Sequence, residues 1–453
     1  MKKDKKDKSL PKKINKVKKS IIDDPLQEIG YSAEPGDLYY LSPPKELTSY
    51  PMFIDNPKKV EKSMSSFVSY DLDGTDIPDK LQRRYSDFFS LYEKLVQRWP
   101  GLFIPRIPPK KITGNTDPFY IRIRMRLLNR FLLKISEIDY LYKSEETQIF
   151  KSNVQEAHSQ IDKLPDLGYN VILGKLKEAF PDYNEHFDII TGKAKFRDFE
   201  LFLTKCLKNL EDFEESVNAA KEKREADKTR YCDFINGLAN YEKSNMKNYT
   251  DEKQKGLVFF NTSYNTLHEK IFKLKNELVN PYICFSYWLE EEILDIEAMQ
   301  IAIKKIFQLI DEEDKLKDKL KAVEDDIKKA ESGNFGFFSG IFKKKENILA
   351  DYQKDRMNLE QKVNDISTVI QIVSDNMSKN IETFKAERVK NYYRHLKMFA
   401  IMNRESTKVI RELWILIDKA LSEICPNAGD DEDFVAKPMS PDDEKFNGDG
   451  PFD

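Results

Sequence analysis

Apolar residues recur at alternating steps of three and four through most of the second half of the chain. Between Phe196 and Val217 this spacing continues for about three heptads, which is typical of a helix-packing seam. Two later regions, about 257–331 and 346–425, keep the same spacing. Helices of roughly 50–80 residues would be about 75–120 Å long, more than a compact domain needs. The pattern predicts an elongated three-helix bundle over residues 195–425 that buries its remaining apolar surface by dimerisation.

The first half follows a different order: a strand end, a helix, a proline-rich loop and a second helix. The strand end reads Arg-Arg-Tyr-Ser-Asp-Phe (83–88), and the loop reads Pro-Arg-Ile-Pro-Pro-Lys-Lys (105–111). The second helix, Ile121 to Phe131, carries several arginines. Guanidinium forks, an aromatic plane and an ammonium on stiff backbone suit a phosphorylated ring. They do not suit acid–base catalysis, because these cations stay protonated near neutral pH.

Arg124 interrupts the amphipathic pattern of this second helix. At 100° per residue it falls on the apolar side, beside Leu128 and Phe131. An arginine near a core needs a partner, which would be either a structural carboxylate or a bound ligand. The other cations of the helix lie on the opposite face and are expected to be solvated: Arg122, Arg126, Arg130 and Lys134.

The motif at 83–88, the loop ending in lysine and the arginine four residues before Leu128 together resemble a PX (phox-homology) domain over residues 35–155. The resemblance implies phosphoinositide binding. It implies that Arg84 binds the ring 3-phosphate and that Tyr85 is the platform under the inositol ring. It also implies that Lys110 lies near the 1-phosphate, with Lys111 adjacent, and that Arg124 reaches the ring hydroxyls. Many relatives have a glutamate just before that arginine, whereas this chain has isoleucine, which leaves the lipid preference open.

Several neighbouring residues have structural interpretations of their own. Arg83 is expected to be a solvated strand residue, and without the family resemblance Tyr85 could be a simple core residue. Trp99 is expected to be buried. Phe103 could be buried or could enter a bilayer, and the sequence does not choose between these.

The second half resembles a BAR domain of the sorting-nexin type, most closely from Phe384 to Trp414 in the third helix. Pro281 is expected to bend the second helix. A glycine-broken aromatic loop between the second and third helices is predicted to contact membrane, although it could instead pack on neighbouring helices or on another dimer. The candidate contact residues of this loop are Phe337, Phe338, Ile341, Phe342, Lys343, Lys344 and Lys345.

The linker between the two halves carries one further amphipathic segment. At residues 166–180 the apolar positions share one helical side, which suits either insertion into lipid or docking as a strut. Because lysines are few there, the strut is favoured.

Composition narrows the class of protein. Charged residues make up 34% and apolar residues 40%, with a net charge of -3. The first twenty residues hold ten lysines, and the stretch from Pro426 holds nine acids, so both ends are expected to be disordered. Four dispersed cysteines indicate free thiols, and no apolar run approaches the ~20 residues that span a bilayer. Four histidines without metal-ligand spacing, and no nucleophile elbow, argue against an enzyme, a metal site or a cofactor.

The predicted fold class is therefore an α+β PX domain, with a small antiparallel sheet plus helices, followed by an all-α elongated BAR-type coiled coil. The expected divisions are a basic arm (1–34), the PX domain (35–155), a linker (156–194), the BAR domain (195–425) and an acidic tail (426–453).

The resemblance implies a cytoplasmic protein, peripheral on endosomal membranes, that recognises phosphatidylinositol 3-phosphate and senses or induces curvature during sorting. Its partners would be such membranes and a second copy or a related sorting nexin, with a retromer-like coat left open and no nucleic acid. Two alternatives stay open: a PX-targeted coiled-coil scaffold or tether without membrane remodelling, and a PX domain that binds a protein instead of lipid.

Overall fold

The structure of the chain is a computed structural model. The residues that it describes are 50–62, 65–77, 79–110, 117–246, 258–259, 265–332 and 345–424. The basic arm, the acidic tail and the aromatic loop before Lys345 lie outside these residues. So do Lys111 and the contacts of the Lys345 side chain.

A three-stranded antiparallel sheet opens the described part of the chain. Its strands are β1 (Phe53–Lys62), β2 (Ser65–Asp73) and β3 (Leu81–Arg84), in the order β1-β2-β3. The β1–β2 register shifts between Asp55 and Lys58, where Asn56 adopts a φ of 49°, a conformation that asparagine tolerates better than most residues. Val68, Tyr70 and Leu72 of β2 and Leu81 of β3 are buried, which gives the sheet an apolar face for the helices that follow.

Six helices follow the sheet: α1 (Tyr85–Arg98), α2 (Pro118–Glu137), α3 (Asp139–Tyr142), α4 (Glu145–Lys151), α5 (Ala157–Asp162) and α6 (Tyr169–Ala179). Helix α1 begins where the Asp87 carboxylate accepts the Arg84 backbone N–H at 2.8 Å. Helix α2 begins with a proline in its first turn, and Asp117 accepts the Tyr120 N–H at 2.9 Å. Local capping thus fixes both helices that carry the predicted site.

Four further helices follow in the described part of the chain: α7 (Ile189–Ser244), α8 (Asn265–Glu277), α9 (Tyr282–Glu331) and α10 (Lys345–Ile424). The predicted fold class is confirmed, because a small antiparallel sheet with helices is followed by long helices. The expected bend at Pro281 is wrong. Pro281 lies just before α9 and after the end of α8, at a helix start, where a missing N–H removes no helical hydrogen bond.

The chain divides into two compact units, one of Met1–Ala220 with Tyr282–Phe399 and one of Lys221–Pro281 with Ala400–Asp453. In the first unit a continuous core joins the sheet, α1 and α2 to the adjoining parts of α7, α9 and α10. The second unit has its own core, built around Ile235, Leu274 and Leu413. The α7 seam is only partly covered: Phe196, Phe199 and Leu203 are buried, whereas Phe213 and Phe234 remain exposed.

Helix α2 is docked on the long helices by charge, which corrects the expectation that its polar face is solvated. Asp295, fully buried on α9, pairs with Arg130 at 2.6 Å and with Lys134 at 2.6 Å. Only Arg122 of the four predicted surface cations is exposed. We call the ion pairs that join α2, α9 and α10 the docking cluster. Its cations are Arg126, Arg130, Lys134 and Arg388, and its carboxylates are Glu290, Glu291, Glu292 and Asp295.

Helix α6 acts as the predicted strut. Its residues Ile172 and Leu176 are buried in the core of the first unit. The Lys175 ammonium lies 4.1 Å from the centroid of the Trp99 ring and 3.7 Å from Glu146. Trp99 is buried, as predicted, and Phe103 packs near Phe384 of α10 at 6.3 Å between ring centroids.

Candidate functional site

Arg84 and Tyr85 stand at the junction where β3 ends and α1 begins. Arg84 has extended backbone (φ -114°, ψ 166°), and Tyr85 is the first helical residue. The Arg84 guanidinium lies 5.1 Å from the centroid of the Phe67 ring. Its Nη2 atom is 3.1 Å from Nε2 of His158, so the side chain is held by a ring on one side and by an imidazole on another.

The Tyr85 ring is fixed at its hydroxyl end by the proline-rich loop. Its hydroxyl donates a hydrogen bond of 2.7 Å to the carbonyl of Pro108. Burial raises the pKa of Tyr85 to about 12, against the opposing effect of nearby Arg124, so the phenol stays neutral and remains a donor at physiological pH. The bond ties the loop to the start of α1 and holds the ring plane in one orientation.

Arg124 lies between aromatic rings, on the apolar side of α2 as predicted. It is buried, and its guanidinium carbon is 4.7 Å from the centroid of the Tyr85 ring and 4.5 Å from that of Tyr120. Nη2 donates a 2.8 Å hydrogen bond to the Tyr120 hydroxyl. Tyr70 of β2 is also close: burial raises its pKa to about 12, and the Arg124 charge opposes that rise. The sequence could not anticipate this aromatic surrounding of the guanidinium.

Lys110 is exposed at the end of the described proline-rich loop. Among the described residues, no hydrogen bond, ion pair or cation–π contact joins Lys110 to Arg84, Tyr85 or Arg124. The structure therefore brings Tyr85 and Arg124 into direct contact and places Arg84 next to Tyr85 along the chain. Lys110 is linked to them only through the loop that Tyr85 anchors.

Two residues near the site were misjudged or missed from the sequence. Arg83, expected to be solvated, is 2% exposed and donates to the carbonyls of Phe150 at 2.9 Å and Ser152 at 2.5 Å. It is a structural residue that holds the segment after α4 against β3. His158 was missed because it lies 74 positions from Arg84 and carries no local motif.

Chemically, the site offers guanidinium donors, aromatic planes and an exposed ammonium. Such a set can bind a phosphorylated ring. Within the described ranges, no group of three or more His, Cys, Asp or Glu side chains could hold a metal ion. None of the described helices has an apolar stretch long enough to cross a membrane.

Comparisons with known proteins found a matching domain family and several similar proteins. A PX domain model matches residues 75–153. Sorting nexin-4 of Eremothecium gossypii is 21% identical over 417 residues, covering 82% of this chain and 97% of the relative. Sorting nexin MVP1 of Candida albicans is 40% identical over 72 residues, covering 16% of this chain and 10% of the relative. A cryo-EM structure of the SNX-BAR Mvp1 tetramer aligns with a TM-score of 0.48 at 15% identity, covering 81% of this chain and 100% of that one.

The chain thus carries a PX domain at residues 75–153, and long helices follow it in the described part of the chain. The chain is similar in sequence to sorting nexins, in line with the family resemblance. For several matched sorting nexins, including Candida albicans MVP1, the shared region spans only between 10% and 27% of the relative.

Proposed function

We propose that this protein is a peripheral membrane protein that binds phosphatidylinositol 3-phosphate on endosomes and acts in membrane trafficking. The observation that carries the proposal is the buried Arg124 guanidinium at 4.7 Å from the Tyr85 ring, next to Arg84. A buried guanidinium against the ring of Tyr85, the residue that follows Arg84 at the end of a strand, is suited to a phosphorylated sugar. No catalytic step is involved.

Each site residue has a distinct role in this proposal. Arg84 binds the 3-phosphate through its guanidinium fork, and Tyr85 supplies the plane under the inositol ring. Arg124 reaches the ring hydroxyls from within its aromatic surroundings. Lys110, exposed on the stiff loop that the Tyr85–Pro108 hydrogen bond anchors, reaches the 1-phosphate at the membrane surface.

The long helices add dimerisation and curvature to the proposal. In the first unit, exposed apolar side chains on α7, among them Leu201 (63% exposed) and Phe202 (54%), support pairing with a second copy or a related sorting nexin. Two headgroup sites on one dimer would raise avidity by roughly 10²–10⁴ over a single contact. The loop at 333–345 would then add a membrane contact.

Sedimentation with vesicles containing phosphatidylinositol 3-phosphate, other phosphoinositides or none tests the lipid assignment. Arg84→Ala and Arg124→Ala should abolish binding with the fold intact, as judged by circular dichroism. Arg122→Ala is the matched control, because Arg122 lies on the same helix and is exposed. Retained binding in both site variants would remove the assignment.

Electron microscopy of the same vesicles separates curvature from tethering. Tubes support the proposed remodelling activity. Clustered spheres would favour the alternative of a scaffold that uses its PX domain only to reach the membrane.

A further inference from the structure

His158, in α5 and outside the residues matched by the PX model, contacts two groups at the start of α1. Its Nδ1 atom is 2.8 Å from Oδ1 of Asp87, and its Nε2 atom is 3.1 Å from Nη2 of Arg84. The backbone N–H of His158 also donates to Asp87 at 3.0 Å. Among the described residues, His158 is the only hydrogen-bond acceptor for the Arg84 guanidinium.

These contacts fix which nitrogen of the imidazole carries the hydrogen. Asp87 is 3% exposed and receives N–H donors on both oxygens, as a carboxylate does, so Nδ1 is the donor of the His158–Asp87 bond. In the neutral ring Nε2 is then bare and accepts from Arg84. Asp87 therefore holds the Arg84 backbone directly and its guanidinium through the imidazole.

We infer that His158 is a positioning residue of the headgroup site and that it couples phosphate binding to proton uptake, an inference that rests on the proposed function. The neutral imidazole aims Arg84. A protonated imidazole would place a second cation beside the guanidinium, and the two repel unless an anion lies between them. A phosphate bound to Arg84 supplies that anion, and the protonated His158 imidazole gives the phosphate a second hydrogen-bond donor. Phosphate binding and protonation therefore favour each other, by the reciprocity of linked equilibria.

The charges around the imidazole are consistent with this coupling. Helix α5 packs against α1 and α4. Asp87 faces the ring from α1, and Arg84 faces it from the end of β3. The charged side chains of α4 are directed to other partners: Glu145 and Glu146 pair with Arg98, and Lys151 lies over the Tyr142 ring.

The test compares the full-length protein with His158→Gln and His158→Phe between pH 7.5 and 5.5. The probes are soluble inositol 1,3-bisphosphate, inorganic phosphate, and phosphatidylcholine vesicles with or without phosphatidylinositol 3-phosphate. These arms separate a lipid headgroup from free phosphate. His186→Gln is the matched control, because this histidine is exposed in the segment before α7. Calorimetry in buffers of different ionisation heat counts the protons taken up on binding.

The wild type and His186→Gln should take up protons as they bind inositol 1,3-bisphosphate. As the pH falls from 7.5 to 5.5, their affinity for inositol 1,3-bisphosphate should rise by about tenfold more than that of His158→Gln. One linked proton allows a change of at most about tenfold per pH unit. Equal affinity and equal proton uptake in His158→Gln would overturn the inference, while loss of binding in Arg84→Ala would leave the proposed function standing. If neither His158→Gln nor His158→Phe folds, the absence of proton uptake by the wild type is enough to overturn the inference. Retained binding in Arg84→Ala would instead reject the headgroup site itself.

Discussion

Replacing Asp295 by alanine should undock the PX domain from the long helices of the first unit. Asp295 is fully buried and accepts from Arg130 and Lys134, each at 2.6 Å, and from Arg388 of α10. Burial by itself raises the pKa of this carboxyl, but the three cations outweigh it and hold the pKa well below its usual range. One carboxylate thus neutralises cations from two helices at a single point.

The magnitude follows from what the substitution leaves behind. Without Asp295, the cations of α2 and α10 face each other in a site removed from water, with Glu291 and Glu292 as the neighbouring carboxylates. Removing one partner of a buried ion pair typically costs about 3–5 kcal/mol, because an uncompensated charge stays buried. With a urea m-value of about 3 kcal/mol/M, the unfolding midpoint should fall by about 1–2 M.

Tryptophan fluorescence gives the assay, because Trp99 and Trp288 report on the first unit. A Trp414→Phe background removes the signal of the second unit, where Trp414 is half exposed. Asp311→Ala is the control, since Asp311 is an exposed acid on the same helix. A midpoint within about 0.3 M of the control would show that the docking cluster contributes little and that apolar packing alone holds α2 in place.

Two further predictions concern the docking cluster and the aromatic loop. Burial raises the pKa of Glu292 to about 7, so the folded state binds this proton more tightly than the unfolded chain does. The free energy of unfolding should therefore fall by up to roughly 3 kcal/mol as the pH rises from about 5 to 7. Urea titrations at several pH values should show this slope in the wild type and not in Glu292→Gln. Changing both Phe337 and Phe338 to Ser should spare lipid binding and reduce vesicle tubulation, because apolar rings next to lysines would wedge into the bilayer; unchanged tubulation would reject that contact.

The docking cluster connects the lipid site to the long helices. Helix α2 carries Arg124 on its apolar side and the docking cations on its polar side, so the headgroup site and the docking surface share one rigid element. Arg106 of the proline-rich loop adds a 2.8 Å pair with Glu297 of α9. Within the first unit, the proposed headgroup site is therefore held in a fixed relation to α9.

Local patterns in the sequence determined much of the fold and part of the site. The spacing of apolar residues predicted the long helices, since a helix buries one face at a fixed period whatever it packs against. The same rule placed Arg124 on the apolar side of α2, where the structure buries it. The strand-to-helix motif placed Arg84 and Tyr85 at the point where β3 ends and α1 begins, because capping by Asp87 is a local interaction.

Only the tertiary structure decided which polar groups meet across long sequence separations. The cations of α2 look like a solvated face by periodicity, yet they pair with α9 carboxylates more than 150 positions away. Arg83 is a charged residue that the sequence predicts to be solvated, yet it shares the buried face of β3 with Leu81, and the segment after α4 covers it. His158 reaches Arg84 only because α5 packs on α1. Periodicity records which face of an element is apolar, whereas the partner of a charged group is set by how separate elements pack together.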